Sequence, residues 1–534
     1  MTKKNFLFYG VFTLLLMSAL FSGCDKNKSQ PDFVVLPKDK RPNIIFIYTD
    51  DLDTKLNTID YMKNLKELMI AHGTSMGDFL ITNPLCCPSR TTIFRGQFTH
   101  NHQVYNNTPP NGGFVKFNEL GISDSTLGIW LQAAGYRTAL MGKYLNGFPF
   151  SDDRLYIPPG WSEWVSNAKQ IPYDEYDYVL NENGSLVVYP PDEVNYFTDV
   201  LSRKANDFIQ RAAADNVPFF IYLAPVAPHV PATPALRHAN LFPSATIPIT
   251  PSFNEADVSD KPGTMKSNPL LTDGRISTLN EKYRQRIRSM QAVDEMVAGL
   301  IKTLEQTNQL ENTYIAFSSD NGFHMGQHRL FQGKGTLYEE DITVPLIVRG
   351  PGIPEGRSVS GLLAGNVDMA STITDWAGVT PPAFVDGRSL AGVLAGNAKP
   401  ADWRQAYLLE VYPEDENAEA LEVSPDDTNG KSNVAPVISS ANILQSMLKF
   451  PALASEPLAP IFSGLRTNQY VYVEHNDGSL ELYDLIKDPY ELENIAGSAS
   501  QSLLDTFSAW LKDMSTCSGS SCLLIDSRKF SPSH

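Results

Sequence analysis

A short, uninterrupted apolar run, Asn43-Ile44-Ile45-Phe46-Ile47-Tyr48, follows Pro42 and stops at Thr49-Asp50-Asp51. A strand buried on both faces reads as such a run, because neither of its alternating faces meets water. The pattern recurs at residues 313–318, which lead into Ser319-Asp320-Asn321-Gly322, and at 217–223, which lead through prolines to His229. It recurs again at 136–141, just before Gly142-Lys143. Ile287, Met290, Val293, Val297, Leu300 and Leu304 recur at helical spacing ahead of the 313–318 run, giving a helix-then-strand unit. Alternating units of this kind imply an α/β layered sheet. Ligands of such sheets gather beyond the carboxyl ends of the strands, so Asp50, Asp51, Asp320, Asn321, His229 and Lys143 are expected to face one cleft.

Asp50, Asp51, Asp320 and Asn321 offer oxygen and no imidazole, a set suited to Ca²⁺, with Mg²⁺ second. Taken singly, each acid reads equally as an Asx turn or a helix cap. Net charge is -17; that argues against nucleic acid as a partner and would repel any polyanion unless the cleft carries its own cations. A chain of 534 residues exceeds what one hydrophobic core serves, so a large domain plus a smaller one is expected.

The amino terminus orders Lys3-Lys4, an apolar stretch over residues 6–21, and Ser22-Gly23-Cys24. That is the layout of a secretion signal, and it is short for a membrane span. The polar, lysine-rich residues 25–40 read as a flexible spacer. Cys517 and Cys522 close a small loop that suits a disulfide in an oxidising compartment. Residues 414–431 are acidic and turn-rich, as in an exposed insertion.

Residues 86 to 90 read Cys86-Cys87-Pro88-Ser89-Arg90. Two cysteines before a proline are compatible with a buried loop, a metal site or half of a disulfide. The pentapeptide also resembles the maturation signal of type I, formylglycine-dependent sulfatases. Asp50-Asp51, Gly142-Lys143, His229, Asp320-Asn321 and Lys334 follow the order and approximate spacing of that family's active site, from residue 41 to 496, most weakly over 414–462. Asn83-Pro84-Leu85, His100-Asn101-His102, Lys143-Tyr144-Leu145-Asn146, Ala227-Pro228-His229 and Gly322-Phe323-His324-Met325-Gly326-Gln327 resemble the N-acetylglucosamine-6-sulfatase and heparan endosulfatase branch. Cys24 after Ser22-Gly23 resembles a bacterial lipobox.

These resemblances imply an alkaline-phosphatase-like α/β/α sandwich with a large mixed central sheet and a smaller C-terminal α+β subdomain with an antiparallel sheet. The implied boundaries are a lipoprotein signal peptide over 1–23, a tether over 24–40, a catalytic domain over 41–400 and the subdomain over 401–534. Cys86 becomes formylglycine through a formylglycine-generating enzyme and lies against the metal held by Asp50, Asp51, Asp320 and Asn321. Arg90, Lys143 and Lys334 hold the sulfate, Asp320 takes a proton from the attacking oxygen, and His229 with Lys334 assists the leaving group. His100, His102 and His324 are candidates for substrate contact or for the base that expels sulfate, since Leu145 stands where many sulfatases carry a histidine. Arg95-Gly96 replaces the usual Thr-Gly at the end of the signature.

The expected reaction is hydrolysis of sulfate esters on a sulfated saccharide, with 6-O-sulfated N-acetylglucosamine or a related sugar as substrate. The expected location is the periplasm or cell surface, with membrane attachment at Cys24. Alternatives are an arylsulfatase, a phosphonate or phosphate monoester hydrolase on the same scaffold, and a glycan-binding lipoprotein without turnover.

Overall fold

The computed structural model describes residues 41–263, 265–400, 402–413 and 458–529. The signal sequence, Cys24, the tether and the insertion at 414–431 lie outside the described residues. The strands of the large sheet are β1 (Asn43–Thr49), β2 (Thr74–Leu80), β3 (Arg137–Gly142), β4 (Glu163–Asn167), β5 (Tyr178–Glu182), β6 (Ser185–Tyr189), β7 (Phe219–Ala224), β8 (Thr313–Ser319), β9 (Thr343–Arg349) and β10 (Arg357–Val359). Their order is β10-β2-β9-β8-β1-β7-β3-β4-β5-β6. The centre, β8-β1-β7-β3-β4, is parallel, while β9 and the β4-β5-β6 end pair antiparallel.

Every residue of β1 is buried because its two faces are covered by different layers. Ile45 and Ile47 join Ile221, Leu223, Ile315 and Phe317 in the core beneath the helices Phe197–Ala214 and Asp273–Gln306. On the opposite face Phe46 and Tyr48 pack with Tyr222, and Phe94 of the helix Cys86–Arg95 covers Tyr222 at 4.9 Å. The period-2 alternation of a strand thus produces an α/β/α sandwich.

Helical spacing in the sequence predicts a helix from residue 287; the structure begins it at Asp273, behind a Thr272 cap whose side chain accepts the Arg275 N–H. The difference has a packing reason. Leu279, Tyr283 and Ile287 cover Leu56, Phe323 and Met325 in a separate small core, so the first turns do not continue the apolar stripe that meets the sheet.

A second sheet, β11-β12-β13-β14, comprises β11 (Tyr407–Val411), β12 (Phe462–Arg466), β13 (Tyr470–His475) and β14 (Leu480–Asp484), all antiparallel. Phe507, Trp510, Leu511 and Met514 of the helix Gln501–Met514 pack on it in one core with Leu80, Phe98, Leu337 and Val367 of the preceding region. Cys517 and Cys522 form a disulfide. Among the described residues no helix is long and apolar enough to cross a membrane.

Candidate active site

The ends of β1, β3, β7 and β8 bring their flanking residues to one place. Asp50 and Asp51 leave β1, and Asp51 adopts a left-handed conformation at φ 66°, which aspartate tolerates better than most residues. Its N–H donates to Asp320 Oδ1 at 3.0 Å, joining the ends of β1 and β8. Lys143 follows Gly142, whose φ is 109°; a Cβ there would lie 2.0 Å from the Ala224 carbonyl oxygen of β7. Glycine therefore permits the close strand approach that places Lys143.

Cys86 and Arg90 sit one turn apart on the helix Cys86–Arg95 and so share a face. Cys86 Sγ lies 3.3 Å from Asp50 Oδ1 and 2.8 Å from Lys334 Nζ. Arg90 donates from Nε to Asp320 Oδ2 at 2.9 Å and lies 3.6 Å from Asp50 Oδ2. Lys143 Nζ donates to Asp50 Oδ2 at 2.6 Å, and Lys334 Nζ to Asp51 Oδ1 at 2.7 Å. Asn321 Nδ2 donates to the same Asp51 oxygen at 2.7 Å. Side-chain exposure is 0 to 1% for Asp50, Asp51, Arg90 and Lys143, against 3% for His229 and 7% for Lys334. These last two mark the open side.

Burial alone would raise the Asp50 carboxyl, but Lys143, His229, Arg90 and Lys334 outweigh it and hold it well below the usual range. Asp320, equally buried and beside the Asp50 charge, is pushed up to about 6 in spite of Arg90. Burial and the Asp50 carboxylate raise the Cys86 thiol well above its usual range, so it stays protonated and is a poor nucleophile as cysteine. Burial pushes the neighbouring Cys87 thiol up to about 12.

Donors for a cation are in place. Asp50, Asp51, Cys86 and His229 each bring a ligating atom within 4.8 Å of the others. Among the described residues, the buried oxygens Asp51 Oδ2 and Asn321 Oδ1 have no hydrogen-bond partner. Two orphaned oxygens beside an ionised carboxylate fit a hard, oxygen-seeking ion. Asp320, in the expected ligand set, accepts from the Asp51 N–H through Oδ1 and from Arg90 through Oδ2. His229, expected only as an acid, lies 3.8 Å from Asp51 Oδ2.

The three further histidines separate. His100 lies between Glu410 and the Cys517 carbonyl oxygen, at 3.0 and 2.8 Å from its two ring nitrogens. His102 engages Thr92 Oγ1 and the Val104 N–H, each at 3.1 Å. Both ring nitrogens of each are engaged within the protein, an arrangement that supports a fastening role over substrate contact. His324 holds Asp341 at 2.9 Å and exchanges backbone bonds with Gly333, which places it as a clamp on the loop carrying Lys334.

Sequence reasoning missed Tyr173 and Arg286. Tyr173 stacks on His229 at 3.7 Å and 2°, and its hydroxyl accepts from Lys143 and Asn146, each at 3.2 Å. It lies in a loop without periodicity, so no pattern marks it. Arg286 donates to the carbonyl oxygens of Asp51 at 2.6 Å and Pro228 at 3.2 Å, stitching the two loops that carry Asp51 and His229. A signal existed: it is an arginine next to the apolar stripe of a buried helix.

The sulfatase family matches residues 42–379 of this chain. Human N-acetylglucosamine-6-sulfatase is 32% identical over 494 residues, 92% of this chain and 87% of that protein. The chain belongs to the sulfatase family. This sulfatase is also 38% identical, over 65% of its length, to a Caenorhabditis elegans extracellular sulfatase Sulf-1 homolog, and spans about half of that relative, 48%. A solved structure holding its substrate D-glucosamine-2-N,6-O-disulfate matches the sulfatase with a TM-score of 0.68 at 25% identity, over 89% of this chain and 97% of that one. The family generally uses formylglycine and a metal ion, and the cluster around Cys86 suits both.

Proposed function

We propose that this sulfatase hydrolyses the 6-O-sulfate ester of N-acetylglucosamine or a closely related sugar in a sulfated saccharide. The observation that carries the chemistry is Cys86 Sγ seated between Asp50 and Lys334, beside two unpartnered oxygens. The choice of sugar is supported by the N-acetylglucosamine-6-sulfatase relatives and by the glucosamine-disulfate complex.

Asp50, Asp51, Asp320 and Asn321, with residue 86 against them, would hold Ca²⁺, which would supply positive charge to the sulfate ester. Converted to formylglycine by its maturation enzyme, residue 86 supplies the attacking hydroxyl and a second one through which sulfate is released. Arg90, Lys143 and Lys334 surround that position and neutralise the anion that shields sulfur. Arg90 holds the Asp320 carboxylate, to which we assign acceptance of the proton from the attacking oxygen. Tyr173 locks the His229 ring and covers it from water. His229 and Lys334, the least buried of these side chains at 3% and 7% exposure, are assigned to assist the departing sugar oxygen.

The protein works outside the cytoplasm, in the periplasm or at the cell surface, tethered at Cys24. The Cys517–Cys522 disulfide supports an oxidising compartment.

The test is sulfate release from defined 2-O-, 3-O-, 4-O- and 6-O-sulfated saccharides, with matched phosphate esters, by wild type and Cys86→Ala expressed in a host that makes formylglycine. Release is expected from the 6-O-sulfated glucosamine series alone, with Cys86→Ala lower by about 10³-fold or more. Activity confined to a 4-O-sulfated galactosamine would overturn the sugar. Preference for phosphate would overturn the ester class. An unmodified thiol at residue 86 with no turnover would leave a binder.

A further inference from the structure

A second group of ligating side chains lies along the loop that leads from β8 to Lys334. His328 comes from that loop, Glu340 from the short helix Glu339–Ile342 and Glu491 from the segment after β14. Each offers one atom, and these atoms lie within 4.8 Å of one another. All three residues are buried, at 1, 6 and 1% exposure.

The orientation of each group is fixed from behind. His328 Nδ1 lies 2.7 Å from Glu255 Oε2, an acceptor that sets the ring and leaves Nε2 as the lone-pair nitrogen. Glu340 Oε1 accepts from Ser252 Oγ at 3.1 Å, and Glu491 Oε2 from the Glu339 N–H at 2.9 Å. The remaining atoms turn toward one another. His328 Nε2 is 3.9 Å from Glu340 Oε2, too far for a hydrogen bond. Among the described residues, neither Nε2 of His328 nor Oε1 of Glu491 has a hydrogen-bond partner.

Nearby cations are committed elsewhere. Glu339 is matched by Arg466 at 2.7 Å and Lys55 at 3.4 Å, and Glu255 by Lys261 at 3.5 Å. Two of the inward-facing atoms, His328 Nε2 and Glu491 Oε1, are buried without a partner among the described residues, and a divalent ion at the centre of the group satisfies them together with Glu340. One imidazole backed by a carboxylate, with two further carboxylates, is a donor set for zinc; calcium takes oxygen alone. Zinc bonds of about 2.1 Å place tetrahedral donors about 3.4 Å apart, so small side-chain rotations close the group.

We propose that His328, Glu340 and Glu491 form a zinc site, distinct from the cation site at Asp50 and Asp51. It fastens the segment after β14 to the loop that presents Lys334 to Cys86. His328 and Arg329 both hold positive φ, 50° and 61°, a conformation such residues keep only where their surroundings fix it.

The test is elemental analysis of the full-length protein after exposure to Zn²⁺ and Ca²⁺ and removal of loosely held metal. Wild type is expected to retain one equivalent of zinc. His328→Gln and Glu491→Gln lose it and keep calcium, while Asp51→Asn keeps zinc. Crystals of the wild type soaked in Zn²⁺ give an anomalous peak at the zinc edge between the three side chains, a readout that needs no variant to fold. No peak there, no retained zinc, or zinc unchanged in both His328→Gln and Glu491→Gln would overturn the site.

Discussion

Two buried clusters of acids and cations in this molecule are built to opposite ends. At the seam with the C-terminal helices, Arg404 donates to both oxygens of Asp368 at 2.7 and 2.9 Å and from Nε to Asp526 at 2.7 Å, while Arg388 donates to the other Asp526 oxygen. The Arg388 and Gly365 N–H groups complete Asp368. Every carboxylate oxygen there has a donor. Around Cys86 the same residue types are packed as deeply, yet Asp51 Oδ2 and Asn321 Oδ1 are unpartnered. A network whose carboxylate oxygens all have donors has no acceptor left to offer a cation and serves the fold. An incomplete one stores unmet bonding capacity that a metal or substrate can take up.

The sharpest break of this contrast is Arg404→Met. It strands two buried carboxylates and is expected to cost about 3 to 5 kcal/mol of stability, read as a lowered denaturation midpoint with unchanged turnover per folded molecule. A loss below about 1 kcal/mol would put the seam in the same class as the active site. Next is Asp51→Asn, expected to keep the fold and lose bound cation, with turnover falling about 10²- to 10³-fold. A large stability loss with intact turnover would invert the comparison. His229→Ala is expected to lower kcat about 10²-fold for sugar sulfates and much less for aryl sulfates, whose leaving group needs no proton.

The smallest effect tests the border between the clusters. Burial lowers the His100 pKa, but Glu410 and the Cys517 carbonyl lift it to about 9, above the ordinary 6.5 of an unfolded chain. The charged pair therefore stabilises the fold fully below pH 6.5, and its contribution fades as pH rises through about 9. His100→Gln should lower stability by about 2 kcal/mol at pH 6 and by little at pH 10, with activity preserved. A pH-independent difference would show that only packing is lost.

Much of the site was legible because each catalytic candidate adjoins a local signal. An apolar run must end somewhere, and the acids, histidine and lysine at the ends of β1, β8, β7 and β3 mark those ends. Cys86 and Arg90 are legible through the resemblance of their pentapeptide to the sulfatase maturation signal; that they share one helical face is seen only in the structure. His100 was not legible because its neighbours in sequence say nothing of Glu410 and Cys517, more than 300 residues away, while His102 bonds to the nearby Thr92 and Val104, which no periodic pattern marks. Tyr173 and Arg286 act through partners on other segments and leave no periodic trace.

The sequence by itself determined the layered α/β architecture and the gathering of Asp50, Asp51, Lys143, His229, Asp320 and Asn321 at one edge, since burial period and strand direction are local properties. Only the tertiary structure decided which of those polar groups are satisfied and which are left open. That distinction is a matter of ångströms between residues far apart in the chain, and hydrogen bonds depend on such distances far more steeply than hydrophobic burial does.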